Sequence, residues 1–311
     1  MRDRLASIME ILFCGSGWLD IVDMITARLA TGDRLRRWDR ARPLIDEVAA
    51  APPDVILPSN GRVDGAVIAA AAPRLRLIQQ PAAGVDSIDL AAATAHGVPV
   101  CNAPGANTVA VAEAALLLLL LCARRWPIAR VQFERGIIGG PLGVELAGSR
   151  LVIIGGGRTG TALAARAGAL GMAVDVLGSA TTRNQLHSAL ARADAVSVHC
   201  PLTVATRGLL DAAAFAALPP HAIVVNAARG PIIDRAALEG ALARGHLGGV
   251  GLDVYWQEPW DPRDPLFAHP KVVTLPHVAG STTAAFTAIA DIVVDNIARL
   301  RRNEPLRHRL A

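Results

Sequence analysis

The feature that most constrains this chain is a repeated alternation of short aliphatic runs with longer helical patterns. In the first third of the chain the runs are residues 11–13, 55–57, 75–78 and 98–101. A second series follows at residues 151–154, 173–177, 195–198, 222–225, 250–253 and 272–275. Buried parallel strands that are joined by crossover helices produce this pattern. The sequence therefore predicts an α/β protein with two doubly wound parallel sheets.

Length and composition agree with two folded domains. The chain has 311 residues, of which 52% are hydrophobic and 19% charged, so a disordered chain is excluded. The 31 basic and 27 acidic residues leave a net charge of only +4. Residues 34–42 and 299–309 are rich in arginine, and we interpret them as solvent-exposed helix faces and a tail. No aromatic residues interleave a basic patch, so no nucleic-acid partner is expected.

The cysteines and the apolar segments limit the other classes of protein. The cysteines are Cys14, Cys101, Cys122 and Cys200. They show no metal-ligand or disulfide spacing, so we expect reduced, buried thiols and no metal site. Residues 8–14 lack the length and cleavage site of a signal peptide, and residues 114–123 fall short of the roughly 20 residues that cross a bilayer. A cytoplasmic protein without a membrane partner is expected.

One helix predicted between the two series is unusually apolar. It begins near Thr108, a candidate N-cap, and runs to Ala123, where Arg124 and Arg125 suit the negative end of the helix dipole. Residues 116–121 are six consecutive leucines, so the helix is apolar on all sides and is expected to be buried on all sides. We therefore expect this helix at a domain junction or subunit interface, and a homodimer.

A glycine-rich loop directly follows the strand predicted at residues 151–154. Its spacing is G-x-G-x-x-G, and a helix is predicted after it at residues 161–170. Gly155 would permit the tight turn, Gly157 would let the backbone approach a pyrophosphate, and Gly160 would allow close packing of helix on strand. A dinucleotide site is expected at Gly155, Gly157, Arg158, Thr159 and Gly160.

The type of dinucleotide depends on the end of the next strand. An acid that binds the adenosine ribose is expected about 20 residues after the loop, but Asp175 would lie in the middle of the strand at residues 173–177. The strand is followed by Gly178 and Ser179. Without a carboxylate there, a 2′-phosphate is not repelled, and Ser179 with Arg183 could hold it. NAD and NADP both remain open with a preference for NADP, and Arg183 could equally be an ordinary exposed arginine at a helix start.

Four segments carry a family resemblance. They are residues 83–90 with 97–113, the glycine loop, residues 199–203 with 225–230, and residues 251–259 with 275–280. In order and spacing they resemble the D-isomer-specific 2-hydroxyacid dehydrogenases over essentially the whole chain. The resemblance implies two Rossmann-like domains: a substrate domain of residues 1–103 plus 279–311, and an inserted NAD(P)-binding domain of residues 104–278.

The resemblance also implies a catalytic trio of Arg229, Glu258 and His277. An arginine fork can bind the carboxylate of a 2-keto acid and polarise its carbonyl group, which lysine cannot reproduce. Histidine titrates near neutral pH, so His277 suits the transfer of a proton to the developing alkoxide and its removal in the reverse direction. Glu258 would orient the imidazole and stabilise its protonated form.

Further positions follow from the same resemblance. The backbone amides of Ala83, Gly84 and Val85 would surround the substrate carboxylate. The remaining positions are expected on the cofactor side, with Asp253 at the nicotinamide carboxamide, Thr108 nearby, and Cys200 and Pro201 along the adenosine. Asp253 could instead be a plain acid at a strand end, and Thr108 a plain helix cap.

The chain departs from the family in two respects. Gly178 stands where NAD-using members commonly carry an aspartate. We also expect neither the added regulatory domain of many phosphoglycerate dehydrogenases nor feedback control by serine. Glu258 argues against the formate-oxidising branch, which has glutamine there.

We therefore expect hydride transfer between NAD(P)H and a small 2-keto or 2-hydroxy acid, whose side chain no motif identifies. The alternative is a dinucleotide-sensing interaction protein that resembles corepressors of the same fold.

Overall fold

The computed structural model describes residues 8–311, which form two compact units. The first unit is discontinuous and combines the chain up to Asn107 with Ser281–Ala311, whereas the second is Thr108–Gly280. All pairings between the strands of each sheet are parallel. The prediction of an α/β protein with two parallel sheets is therefore confirmed.

The first unit has a five-stranded sheet of order β2-β1-β3-β4-β5. Its strands are β1 (Glu10–Phe13), β2 (Arg34–Arg37), β3 (Val55–Leu57), β4 (Leu77–Gln79) and β5 (Val100–Cys101). Its helices are α1 (Leu19–Thr26), α2 (Leu44–Ala50), α3 (Gly65–Ala71), α4 (Leu90–Ala95) and the long α11 (Thr283–Arg302). Apolar residues of α1 and α11 cover one face of the sheet, and those of α2 and α3 cover the other.

The helix predicted at residues 34–42 is wrong. Arg34–Arg37 is the edge strand β2, which pairs with β1 in register from Glu10 to Phe13. A run of arginines has no helical period of apolar residues, and charged side chains suit an exposed strand edge because they discourage pairing with another chain. Arg36 forms an ion pair with Glu47 of α2.

The C-terminal segment is fixed to the first unit by a buried asparagine. Asn296 of α11 is completely buried, and its Nδ2 donates to Oε1 of Gln79 at 2.7 Å and to the carbonyl of Arg307 at 3.0 Å. Its Oδ1 accepts the backbone N–H of Arg307 at 2.8 Å. Beyond Arg307 the tail runs antiparallel to β5, with Arg309 opposite Cys101. The predicted exposed tail is thus held against the sheet.

The second unit has a six-stranded sheet of order β11-β10-β9-β8-β6-β7. Its strands are β6 (Arg150–Ile154), β7 (Ala173–Leu177), β8 (Ala195–Val198), β9 (Ile223–Asn226), β10 (Gly249–Leu252) and β11 (Val272–Thr274). Its helices are α5 (Thr108–Ala123), α6 (Trp126–Glu134), α7 (Arg158–Ala169), α8 (Arg183–Leu190), α9 (Ala212–Ala217) and α10 (Arg235–Ala243), and a 3₁₀ turn spans Gly230–Ile232. The strand order reverses between β6 and β8, where open α/β sheets bind ligands.

The leucine-rich helix α5 packs on α7, β9 and β10 through one side. Leu118 and Leu119 are buried, but 45% of Leu117 and 39% of Leu120 are exposed. The expectation that this helix is buried on every side is therefore wrong for a single chain, because the sheet and α7 cover only part of its circumference.

Within residues 8–311, no helix combines the length and apolar character needed to span a bilayer.

Candidate active site

Arg229 lies in a tight turn directly after β9. The last residue of that strand, Asn226, is completely buried, and its Nδ2 donates to the carbonyl of Arg229 at 2.9 Å. Its Oδ1 accepts the backbone N–H of Ala228 at 3.0 Å. Gly230, which follows Arg229, packs so closely on the backbone of Tyr255 that a Cβ at position 230 would overlap that backbone. These contacts fix the turn that carries the arginine.

Glu258 and His277 form a hydrogen-bonded pair in the same unit. The distance between Glu258 Oε2 and His277 Nδ1 is 2.7 Å, and Glu258 Oε1 accepts the backbone N–H of Tyr255 at 3.0 Å. Burial favours the neutral acid, but the hydrogen bond and charge of His277, the Tyr255 N–H and the charge of Arg229 together lower the pKa of Glu258. A carboxylate at this position is therefore ionised near neutral pH.

The backbone of His277 is held in an uncommon conformation. His277 has φ of 54°, in the left-handed region that non-glycine residues rarely adopt. The carbonyl of Leu275 accepts the N–H of His277 at 3.0 Å and the hydroxyl of Tyr255 at 2.6 Å. Tyr255 therefore contacts Glu258 through its amide and shares the Leu275 carbonyl with the His277 N–H through its hydroxyl.

Asp253 follows β10 and is almost completely buried. Its carboxylate accepts the N–H of Val278 at 2.8 Å and of Ala279 at 3.0 Å, while its own N–H donates to the carbonyl of Asn226 at 3.0 Å. Burial raises the pKa of Asp253 to about 6, although both amides and the charge of His277 oppose the shift. Asp253 thus fastens the segment after His277, and its predicted contact with the nicotinamide stays a prediction.

Continuous hydrogen bonds therefore connect the turn of Arg229 with the segment of His277. They run from the Arg229 carbonyl through Asn226 to the backbone of Asp253, whose carboxylate binds the amides beyond His277. The three residues of the predicted trio lie after β9, β10 and β11, at the carboxyl ends of neighbouring parallel strands. A cation that can bind a carboxylate and an imidazole paired with an ionised acid are thereby brought into one site.

The glycine loop at the end of β6 has the shape that a dinucleotide needs. Gly155 has φ of +118°, and a Cβ there would lie 2.6 Å from the backbone nitrogen of Cys200. A Cβ on Gly160 would overlap the carbonyl oxygen of Gly155. At Gly157, by contrast, a Cβ would meet open space. Protein packing explains the first two glycines but not Gly157, which suits the close approach of a pyrophosphate.

Helix α7 begins at Arg158, three residues earlier than predicted, because Gly157 acts as its N-cap. This cap has no side-chain hydrogen bond to the helix. The first amides of a helix have no acceptor within it, so those at Arg158 and Thr159 can bind an anion. The residues therefore fit the phosphates of a dinucleotide.

Gly157→Ala is expected to weaken dinucleotide binding by at least about tenfold without a loss of thermal stability, since open space receives the methyl group that would block the phosphates. The matched control is Gly168→Ala in the same helix, which also meets open space. Titration of NADH by fluorescence, with melting temperatures for both variants, tests the difference. Equal affinities in the two variants would show that Gly157 has no role in binding.

Strand β7, where the ribose-binding acid is expected, is followed directly by Gly178 and not by an acid. Asp175 lies in the middle of the strand, as predicted, and pairs with Arg150 at 3.1 Å. Gly178 and Ser179 follow it and are exposed. Arg183 at the start of α8 forms an ion pair with Asp211, and it also donates to the carbonyl of Leu209 at 3.3 Å. Its predicted role at a 2′-phosphate stays a prediction and would require exchange of this ion pair.

The segment after β8 lies beside the glycine loop. His199 is partly buried, shares a 2.8 Å hydrogen bond with the Ser197 hydroxyl, and has its pKa lowered to about 4 by desolvation. Cys200 is only partly buried, which corrects the expectation of a fully buried thiol, and burial still raises its pKa to about 11. Pro201 is exposed. His199 is therefore neutral at physiological pH, and Cys200 is an unreactive thiol.

The remaining predicted positions are Thr108 and the loop of residues 83–85. Thr108 is the first residue of α5. In the first unit, the loop with Ala83, Gly84 and Val85 follows β4. Asn102 Nδ2 donates to the carbonyl of Ala83 at 2.8 Å, and Gln80 Nε2 donates to the carbonyl of Gly84 at 2.8 Å. Among the described residues, no group of three histidine, cysteine or acidic side chains is placed to hold a metal ion.

Sequence reasoning missed two residues that build the site. Asn226 lies within residues 225–230, one of the segments that carry the family resemblance. Its position directly after the strand predicted at residues 222–225 could have marked it as a site residue. Tyr255 lies within residues 251–259 and is the only tyrosine of the chain. Their hydrogen bonds depend on the course of the turns after β9 and β10, which the sequence pattern does not specify.

Taken together, the second unit is a dinucleotide-binding α/β domain that carries an arginine, glutamate and histidine site. Residues 116–279 match the family described as D-isomer specific 2-hydroxyacid dehydrogenase, NAD binding domain. The chain belongs to the D-isomer specific 2-hydroxyacid dehydrogenase family.

Curated relatives and solved structures agree with this membership. A D-3-phosphoglycerate dehydrogenase of Archaeoglobus fulgidus is 38% identical over 270 residues, which cover 82% of this chain and 50% of the relative. A glyoxylate reductase of Korarchaeum cryptofilum is 36% identical over 250 residues, 75% of each chain. The structure of NAD-dependent formate dehydrogenase from Staphylococcus aureus in complex with NAD has a TM-score of 0.85 and 27% identity, and the match covers 97% of this chain and 99% of that one. The chain spans about half the length of the D-3-phosphoglycerate dehydrogenases that it matches.

Proposed function

We propose that this protein is an NAD(P)-dependent oxidoreductase that interconverts a small 2-keto acid and the corresponding D-2-hydroxy acid. The observation that carries the proposal is the 2.7 Å pair of His277 with Glu258, adjacent to the charge of Arg229. The alternative of a dinucleotide-sensing interaction protein is not favoured, since the matched relatives are named as dehydrogenases and a reductase.

Each residue of the trio has a separate task in the proposed reaction. Arg229 binds the substrate carboxylate and withdraws electron density from the adjacent carbonyl oxygen. His277 donates a proton to that oxygen as its negative charge develops, and it accepts the proton in the reverse direction. Glu258, ionised because its pKa is lowered, holds Nδ1 of His277 and stabilises the imidazolium, so that Nε2 faces the substrate.

The cofactor would be held by the glycine loop of residues 155–160 and the first amides of α7. When bound, the reduced nicotinamide supplies a hydride to the carbonyl carbon. Cys200 and Pro201 would border the adenosine, and Asp253 and Thr108 the nicotinamide half. In the first unit, the amides of Ala83, Gly84 and Val85 would bind the substrate carboxylate.

A screen of 2-keto acids against both reduced dinucleotides tests the proposal. Glyoxylate, hydroxypyruvate, phenylpyruvate and a branched 2-keto acid would each be mixed with the protein and NADH or NADPH. We expect loss of absorbance at the nicotinamide band with at least one pair. Dinucleotide binding without turnover of any pair would overturn the enzymatic proposal and favour a sensing role.

We propose further that NADP(H) is accepted, and preferred, because Gly178 leaves no carboxylate to repel a 2′-phosphate. Gly178→Asp is expected to lower kcat/KM for NADPH by at least about tenfold while that for NADH stays equal or rises, since a Cβ there meets open space. Steady-state kinetics with both dinucleotides measures the ratio, and Ser179→Ala serves as the uncharged control. An unchanged ratio would show that position 178 does not face the adenosine ribose.

We propose that the protein is a homodimer, and the support is an exposed apolar arm that we define as residues 126–144. Within it, Phe133 is 78% exposed, Ile138 98% and Leu142 88%. An apolar surface of this kind marks an interaction site, and α5 adds Leu117 and Leu120 in the same unit.

The free thiols agree with a reducing compartment, so a cytoplasmic location is proposed as well.

The double variant Ile138→Asp with Leu142→Asp is expected to convert the proposed dimer to a monomer, because charged side chains cannot be buried in an apolar interface. Sedimentation of wild type and variant measures the mass directly. Val204→Asp is the control, as Val204 is 99% exposed and lies outside the arm. A wild-type protein that sediments as a monomer would refute the proposal.

A further inference from the structure

The side chain of Asn226 closes the turn that carries Arg229. It lies at the end of β9, three residues before the arginine, and none of its surface is exposed. Its amide nitrogen donates to the Arg229 carbonyl at 2.9 Å, and its amide oxygen accepts the Ala228 N–H at 3.0 Å. One side chain therefore satisfies a peptide group on each side of Arg229.

These two bonds determine how Arg229 leaves the backbone. Arg229 has φ of −148° and ψ of 134°, an extended conformation between the two peptide groups that Asn226 binds. The guanidinium Nη1 donates to the carbonyl of Ala228 at 2.7 Å, so the aim of the side chain depends on the same turn. The peptide group that joins Ala228 to Arg229 lies between the two that Asn226 binds, and its carbonyl is the acceptor of Nη1. Release of the two flanking groups would let this middle peptide reorient and would move that acceptor.

We propose that Asn226 is a positioning residue that aims the Arg229 guanidinium at the carboxylate of the 2-keto acid. The inference rests on the proposed function and extends it to a residue that does not touch the substrate. The amide of Asn226 supplies both a donor and an acceptor at this reach, whereas a carboxylate cannot donate, a serine hydroxyl is shorter, and an aliphatic side chain leaves both peptide groups without this partner.

The variants that test this are Asn226→Asp, which keeps the acceptor and loses the donor, and Asn226→Ser, which is neutral and shorter. The matched control is Asn296→Asp in the first unit. Asn296 is equally buried and also binds two peptide groups, those of Arg307, but it lies outside the proposed site. Any effect of general destabilisation is shared by the control.

Four measurements separate the outcomes. They are the melting temperature, the Kd of NADH, the Kd of oxamate on the NADH complex, and kcat and KM with glyoxylate. Oxamate resembles a 2-keto acid but cannot be reduced, so its affinity reports carboxylate binding without turnover.

For both Asn226 variants we expect the oxamate Kd and the glyoxylate KM to rise about tenfold or more, as one well-formed hydrogen bond to the turn is lost. The NADH Kd should stay within about twofold, and Asn296→Asp should lower only the melting temperature. Oxamate affinity within twofold of wild type in the folded Asn226→Ser protein would overturn the inference, as would an equal loss in Asn296→Asp. If glyoxylate is not a substrate, the best 2-keto acid of the screen takes its place in the KM measurement. Failure of the wild type to bind oxamate and to reduce any 2-keto acid of the screen would remove the proposed function and the inference together.

Discussion

His277→Gln is expected to lower kcat by about 10²- to 10⁴-fold, the usual contribution of a positioned general acid. Glutamine fills a similar volume and can still hydrogen-bond Glu258, but it cannot donate a proton at neutral pH. The Kd of NADH should change little, because the glycine loop that would hold the phosphates lies at the end of β6. Steady-state kinetics together with a fluorescence titration of NADH measure both quantities.

The matched control is His269→Gln. His269 lies in the same unit, where its Nδ1 accepts the N–H of Lys271 at 3.1 Å, away from the trio. This variant should keep kcat within about twofold of wild type. A His277→Gln protein with wild-type kcat would exclude His277 as the acid, whereas equal losses in both variants would indicate a general effect of removing a histidine.

Arg229→Lys is expected to lower kcat/KM by about 10²- to 10³-fold, although the positive charge is kept. The ammonium group is a point charge on a flexible chain, so it cannot bind a carboxylate through two parallel N–H donors and polarise the neighbouring carbonyl together. It also loses the geometry of the 2.7 Å bond from Nη1 to the Ala228 carbonyl. Kinetics with glyoxylate, or with the best substrate of the screen, measure the loss.

Arg263→Lys provides the control for this exchange. Arg263 is exposed and pairs with Asp261 at 3.1 Å, so replacement by lysine should leave kcat/KM unchanged. Retention of kcat/KM within about threefold in Arg229→Lys would show that charge alone is sufficient and that the planar fork has no special role.

Much of the fold could be predicted from the sequence because buried parallel strands are nearly continuous apolar runs. The strands at residues 55–57, 173–177 and 195–198 have the predicted bounds. The edge strand Arg34–Arg37 could not be recognised, since an exposed edge has no apolar run and its pairing with β1 is decided by the tertiary structure. Similarly, the leucine run predicted a helix correctly but did not show which side the sheet would cover.

The site was predictable in its residue types and less so in its contacts. Arg229, Glu258 and His277 lie in segments far apart along the chain, and the resemblance was needed to group them. The structure adds the bonds that hold them, such as Tyr255 to Leu275 and Asn226 to Ala228, which depend on turns of a few residues. Turns of this kind are set by local backbone angles that periodicity does not encode.

Transfer of deuterium tests most directly the central claim that Arg229 and His277 act on a 2-keto acid beside a reduced nicotinamide. The protein would be incubated with the reduced dinucleotide selected by the screen, which would carry deuterium at both C4 positions of the nicotinamide, and with the 2-keto acid selected by the same screen. The expected product is a D-2-hydroxy acid with a single deuterium on C2, formed by the wild type and almost absent with His277→Gln and Arg229→Lys. Product without deuterium on C2, or equal yields from the wild type and both variants, would contradict the claim.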